Sequence, residues 1–336
     1  MQILALTDSL APWHSFRIRF GQYIDSLPWP VKISESRSDL KHLQRGDVLF
    51  FYRYLPSWGC INDELFILKK RGVSIITDLD DCVWQAPLGW DRERQKLYTR
   101  ALDMADLITC STVDLQCLVQ QMFPRQKTEI VRNSAPYKAF TKPEASNRSS
   151  TLRVCWTGCP WTRPEDLALL KPLVNWIKSQ QISVIWRHIG HAEGRLSFAE
   201  AVGLDARSVE AISIGSHEHF LNALKGDIGL APVTAKCFNT YKSEIKLLEF
   251  GSRGMAWIAS DTPAYRDLCE RWGAAGRLCQ TGDDWIRHFQ QLLDPSIRIR
   301  EQRAWREMTT LHQSHQHTAK QWISVLERVQ MSVSRR

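Results

Sequence analysis

Lys242, Lys246 and Glu249 fall in the stretch CFNTYKSEIKLLEFGSRGMAWIASDTPAY, residues 237–265, at spacings i, i+4 and i+7. On a helix that spacing puts two ammonium groups and a carboxylate on one face. The backbone N–H groups that open a helix carry partial positive charge and attract phosphate. Lysines beside them add point charge. A carboxylate two turns on can accept from two neighbouring hydroxyls, each charge-assisted bond contributing about 1.5–3 kcal/mol. A nucleoside diphosphate needs both, cations for its diphosphate and an acceptor for its ribose. The same spacing also describes a solvated face on which Lys246 and Glu249 form an i, i+3 ion pair of about 0.2–0.5 kcal/mol.

Local signals predict the elements that would carry these groups. Asn239 or Thr240 can cap a helix start. The helix is expected to reach about Ser252, with Gly254 as its left-handed terminator. Ile245, Leu248 and Ser252 form the face expected to be buried. Met255 to Ala259 reads as a strand, ended by Ser260-Asp261-Thr262-Pro263.

Two further constellations stand at predicted strand ends. Trp156-Thr157-Gly158 to Arg163-Pro164-Glu165-Asp166 follows a strand; Gly158 lets backbone approach a ligand, and Arg163 precedes a helix start. An ordinary loop with a solvated arginine fits as well. No G-x-G-x-x-G fingerprint is present, which disfavours nicotinamide binding. Asp78-Leu79-Asp80-Asp81 closes another predicted strand, the edge where open α/β sheets bind ligands. Close carboxylates there could hold a divalent metal, accept a sugar hydroxyl, act as a base, or simply cap a helix. His14, His188 and His191 read as structural or solvated histidines.

Taken in order, strands alternate with helices through two series, which predicts an α/β chain with doubly wound parallel sheets. The first series occupies residues 1–140. The rhythm stops between Ser134 and Thr151, where Pro136, Pro143 and Ser146-Asn147-Arg148-Ser149-Ser150 mark a linker. The second series spans 151–312, with one helix expected from Pro164 to Lys178, and the chain from Asp283 onward is mainly helical.

A length of 336 residues suffices for two domains with their own cores. No run of eighteen apolar residues occurs, and MQILALTDS lacks the basic n-region of a signal peptide. Nine cysteines without paired spacing read as reduced thiols in a cytoplasmic protein. The net charge of +8 suits anionic small molecules or peripheral contact with the inner face of an anionic membrane. Nucleic acid is disfavoured, because the basic residues are dispersed and no recognition signature appears. Of fourteen tryptophans, Trp13, Trp29, Trp58, Trp84, Trp90, Trp156 and Trp161 are candidates to line a sugar-binding surface, with core packing as the ordinary alternative.

The stretch 237–265 resembles the nucleotide-binding segment of GT-B glycosyltransferases related to family 4. There an E-x7-E helix is followed by a small-residue turn and a V-V-A-S-like strand. Glu249 takes the place of the second glutamate, and Gly254 and Ile258-Ala259-Ser260 follow in register; Tyr241 stands at the first. A branch with FN-x-x-KS-x-IK-x-LE matches Phe238-Asn239, Lys242-Ser243, Ile245-Lys246 and Leu248-Glu249. Phe16-Arg17-Ile18, Arg53, Asp78 to Trp84, Ala105 to Ser111 and Val131-Arg132-Asn133 extend the resemblance over nearly the whole chain.

It implies two Rossmann-like domains facing a cleft, with a helix at about 315–330 crossing back onto the first. It implies sugar transfer from a nucleotide sugar, as substrate, to a hydroxyl of a glycan or related acceptor, with no bound metal and no further cofactor. Glu249 would hold the ribose. Asn239, Lys242, Ser243, Lys246 and the helix start would hold the diphosphate, with Gly158 and Arg163 beside it. Lys242 would stabilise the leaving group, and Asp80 or Asp81 would contact a sugar. The alternative is a nucleotide-sugar binding protein without catalysis, since the first glutamate is missing.

Overall fold

Runs such as VLFFY at 48–52 and AWIAS at 256–260 are apolar on both faces, so they need a sheet covered on both sides. The computed structural model of the chain describes residues 1–7, 15–52, 61–85, 92–136, 151–274 and 276–334. Its residues divide into two units. One comprises Met1–Asn133, Thr240–Ser243 and His315–Arg336, the other Ser134–Asn239 and Glu244–Ser314. The expected linker falls largely on 137–150, outside the described residues, as do Arg53, His14, Trp13, Trp58 and Trp90.

The first unit holds strands β1 (Ile3–Leu6), β2 (Val31–Ser34), β3 (Val48–Tyr52), β4 (Ser74–Leu79), β5 (Leu107–Cys110) and β6 (Thr128–Ile130). They form one sheet in the order β2-β1-β3-β4-β5-β6. Every pairing is parallel. Ile3, Ala5, Val48, Phe50 and Ile76 supply one buried face. Against it lie Phe16, Phe20 and Tyr23, with Trp322, Val325 and Leu326 from the helix His315–Ser334. Phe20 stacks on Phe50 at 4.1 Å, and the Trp322 ring stands edge-on to both, at 5.1 and 5.5 Å. The Trp322 indole N–H donates to the Arg19 carbonyl at 2.9 Å, so this ring buries no unpaired donor.

The second unit holds β7 (Leu152–Thr157), β8 (Val184–His191), β9 (Val209–Ser213), β10 (Ile228–Ala231), β11 (Ala256–Ser260) and β12 (Leu278–Cys279). Their order is β12-β11-β10-β7-β8-β9 and all pairings are parallel. Counted from β7, this is the doubly wound order 3-2-1-4-5-6, which reverses direction between β7 and β10. Alternate residues of one strand feed opposite cores: Val154 and Trp156 face one, Cys155 the other. Trp156 is therefore core, 2 % exposed, and lines no sugar surface.

Two helices depart from expectation. The one predicted from Pro164 is split into Pro164–Ala168 and Lys171–Ser179, because Pro172 in the first turn of the second piece has no N–H with which to continue the ladder. The central helix starts later than its capping signals predict: Cys237–Thr240, where the chain was expected to leave a loop, is a separate helical turn, and the main helix runs Ile245–Ser252 after residues 241–244. The Tyr241 carbonyl, which an unbroken helix would bond to the Ile245 N–H, accepts from the Thr112 hydroxyl at 3.3 Å. The Ser243 hydroxyl accepts from the Asn133 amide at 2.7 Å.

Candidate functional site

In an open α/β sheet, ligands bind at the carboxyl ends of the strands where the order reverses. In the second unit that point lies between β7 and β10, and both following loops are described. The loop after β7 carries Gly158 and Arg163 and leads into the helix Pro164–Ala168 with Asp166; the loop after β10 carries Thr234 and leads to Asn239. Asp166, 5 % exposed, joins them by accepting from the Thr234 N–H and hydroxyl, both at 2.7 Å. The Asn239 amide donates to the Thr234 carbonyl at 3.0 Å and to Asp166 at 3.4 Å. Asn239 thus fastens this loop pair and caps no central helix. The Ile245–Ser252 helix opens at Glu244 without a side-chain cap.

That helix lies close over the sheet. A Cβ on Gly229 of β10 would come within 2.4 Å of the Phe250 ring, so only glycine allows the approach. Leu247, Leu248, Glu249, Phe250, Gly251 and Ser252 are all buried, and Ile245 is half-buried. The solvated face considered from spacing does not exist here. Lys246 lies with its ammonium 5.0 Å over the Trp156 ring and donates to the Thr157 carbonyl at the end of β7. The Glu249 carboxylate, in a residue 8 % exposed, has no hydrogen bond or ion pair among the described residues. Burial raises its pKa, against the opposing pull of Lys246. Burial and the neighbouring Arg163 charge lower that of Lys246. The half-buried Arg163 guanidinium also lacks a carboxylate partner among the described residues. Two cations and an unbonded carboxylate therefore gather at the switch point, with Asp166 already engaged.

The other predicted residues belong to the first unit. Lys242 and Ser243 sit in the segment Thr240–Ser243, off the helix, so Lys242 shares no stripe with Lys246 and Glu249. Asp80 and Asp81 follow β4, each half-buried, and the Asp80 carbonyl accepts from the Ser111 hydroxyl at 3.2 Å. Asp78 is scaffold. Its two oxygens accept from Arg19 Nε and Nη2 at 2.8 Å each, and one also takes the Thr109 hydroxyl at 2.6 Å. Arg19 passes a further bond to Asn133 at 3.1 Å. Burial works against the Arg19 charge, but Asp78 outweighs it and holds the guanidinium protonated.

The sequence reading missed Arg19, Asp166 and Thr234. Arg19 had a signal, since it shares the apolar stripe of Phe16, Phe20 and Tyr23, where a charge requires a buried partner. Asp166 closed the run from Trp156 without being given a role, and Thr234 had no signal, being an ordinary polar residue in a distant loop.

No protein-family model matches the sequence, and no curated protein matches it significantly. Solved structures do. A sucrose-phosphate synthase from Thermosynechococcus elongatus superposes with a TM-score of 0.71 at 12 % identity, covering 99 % of this chain and 100 % of that one. The fold is GT-B. Two more GT-B structures cover it as fully. A glycosyltransferase from Rickettsia africae ESF-5 has TM-score 0.67 and 9 % identity, with 98 % of each chain covered. An α,α-trehalose-phosphate synthase (UDP-forming) from Burkholderia xenovorans, in complex with glucose-6-phosphate, has TM-score 0.67 and 11 % identity, with 97 % and 100 % covered. In this GT-B chain Glu249 is a buried residue at the switch point. Tyr241 lies between the helices Cys237–Thr240 and Ile245–Ser252. No described helix is long and apolar enough to cross a membrane.

Proposed function

We propose that the chain is a glycosyltransferase, related to family 4, that moves a sugar from a nucleotide-sugar donor to a hydroxyl of a glycan or related acceptor. The observation that carries this reading is the Glu249 carboxylate, buried without a hydrogen-bond partner among the described residues beside Lys246 and near Arg163. Two ribose hydroxyls would satisfy this carboxylate, and the two cations would meet the diphosphate. GT-B neighbours that include a UDP-forming synthase support the same class of donor.

In this reading Arg163, Lys246 and Gly158 hold the diphosphate and stabilise the charge that develops on it as the glycosidic bond breaks. Lys242 and Ser243 take part in the same step, and Asp80 or Asp81 contacts a sugar. A basic chain whose eight described cysteines are all free fits a cytoplasmic location, with peripheral contact to anionic lipid.

Because side-chain cations already serve the diphosphate, transfer should proceed without a divalent metal. The test is turnover with a panel of nucleotide sugars and acceptors in excess chelator. Persistent transfer is expected, and complete loss restored only by manganese or magnesium would sink the metal-free reading. Tight binding without transfer or hydrolysis would instead favour a nucleotide-sugar binding protein, the reading that Tyr241 at the first glutamate position supports. If no nucleotide raises the melting temperature, both readings fail; a ligand at a hundred times its Kd should stabilise by about 2.7 kcal/mol.

A further inference from the structure

The peptide at Gly158 is held from both sides. Its N–H donates to the Ile189 carbonyl at 2.9 Å, and its carbonyl lies 2.9 Å from Nε2 of His188. A carbonyl can only accept, so Nε2 carries the proton and Nδ1 is a bare lone pair. That lone pair is buried and has no partner among the described residues. The ring is 1 % exposed, 5.1 Å from Trp156 and stacked on Phe198 at 5.7 Å. Burial, with the charges of His191 and Lys246, lowers its pKa to about 4, although the Gly158 carbonyl pulls the other way. It is a neutral donor at ordinary pH. Gly190 completes the fit, since a Cβ there would stand 2.2 Å from the Gly158 oxygen. One residue earlier, the Thr157 carbonyl takes the Lys246 ammonium.

An apolar ring would fill this space equally well and leave no lone pair stranded. What the imidazole adds is a donor aimed at one carbonyl, at the base of the loop that carries Arg163. We propose that His188 is a positioning residue, which fixes the Gly158 peptide and so sets the loop 158–163 against the diphosphate of a bound nucleotide. The inference rests on the donor-site reading above for its ligand, but not for the clamp itself.

The experiment compares His188→Phe, which keeps the ring stack and removes the donor, with His188→Gln, whose amide nitrogen can reach the place of Nε2. Two readouts are taken on the whole chain: amide exchange over residues 157–163, and affinity for UDP, with ADP and GDP in parallel. His188→Phe should speed exchange about tenfold and weaken the best-bound diphosphate about five- to tenfold, the range for one lost hydrogen bond. Its melting temperature should stay close to that of wild type, since one stranded lone pair is removed while the Gly158 carbonyl loses its donor. His188→Gln should restore both exchange and affinity without restoring the ring stack. Unchanged exchange in His188→Phe, or a Gln variant no better than the Phe variant, overturns the proposal. If His188→Phe does not fold, His188→Leu replaces it with the same criteria. If none of the three diphosphates binds wild type, the donor-site reading fails and exchange alone decides the clamp.

Discussion

Glu249→Gln is expected to weaken nucleoside diphosphate binding by about ten- to a hundredfold while leaving the fold intact. The amide keeps the shape of the side chain but loses the charge that strengthens each bond to a ribose hydroxyl, about 1.5–3 kcal/mol together with the desolvated partner. A 2′,3′-dideoxy nucleoside diphosphate lacks those hydroxyls and should bind variant and wild type alike. If the variant still prefers ribose as strongly as wild type does, Glu249 is not the ribose ligand. Stability should respond in the opposite sense. Burial holds the Glu249 carboxyl above its ordinary 4.5. The native state therefore keeps a proton that the unfolded chain has lost, and stability falls as pH rises above 4.5 until Glu249 ionises in the fold. Glutamine has no such proton. The melting temperature of Glu249→Gln should gain on wild type across that interval, and a constant difference would place the carboxylate in a better solvated setting than the one described.

The second large effect concerns the first unit. Arg19 and Asp78 are 2 % and 0 % exposed and pair through two bonds of 2.8 Å. Removing one partner of such a pair strands the other charge, at a cost of about 3–5 kcal/mol. Arg19→Met and Asp78→Asn should each lose that much in urea denaturation. The double variant Arg19→Met/Asp78→Leu should recover most of it, because replacing a buried ion pair by apolar groups is often neutral. A loss below about 1 kcal/mol in the single variants would mean that water reaches the pair. Asp78 lies two residues from Asp80, so these variants also separate scaffold from sugar contact: they should lower stability at unchanged nucleotide affinity.

The strands were legible from sequence because a parallel sheet buried on both faces needs unbroken apolar runs, and Val48–Tyr52 and Ala256–Ser260 are such runs. The interruption at 241–244 was not, since Tyr-Lys-Ser-Glu contains no helix breaker. It arises from bonds to Thr112 and Asn133, more than a hundred positions away in sequence. Glu249 was singled out by spacing and by resemblance to a motif, yet its burial was hidden, because the close approach depends on Gly229 in another strand. Arg17 drew attention as part of a motif and is exposed, while Arg19, on the buried stripe, carries the ion pair. Local pattern thus located the elements. Partners supplied by distant loops decided which charges are buried.

The helix His315–Ser334 belongs to the first unit, although the whole second unit lies between them in the chain. During synthesis the Phe20–Phe50 pair must wait for Trp322, whose indole bonds the Arg19 carbonyl across 303 positions. A ribosome adds about 5–20 residues per second, so the gap lasts on the order of tens of seconds. Through that time the first sheet has one aromatic face open to water. The second unit, whose strands β7 to β12 are contiguous in the chain, can close before it. Folding of the earlier domain is thus timed by the arrival of the later segment. Ribosome-held chains stopped before His315 should be cut rapidly by protease within residues 1–133 and slowly within 151–314; equal resistance would show that the first sheet closes without its last helix.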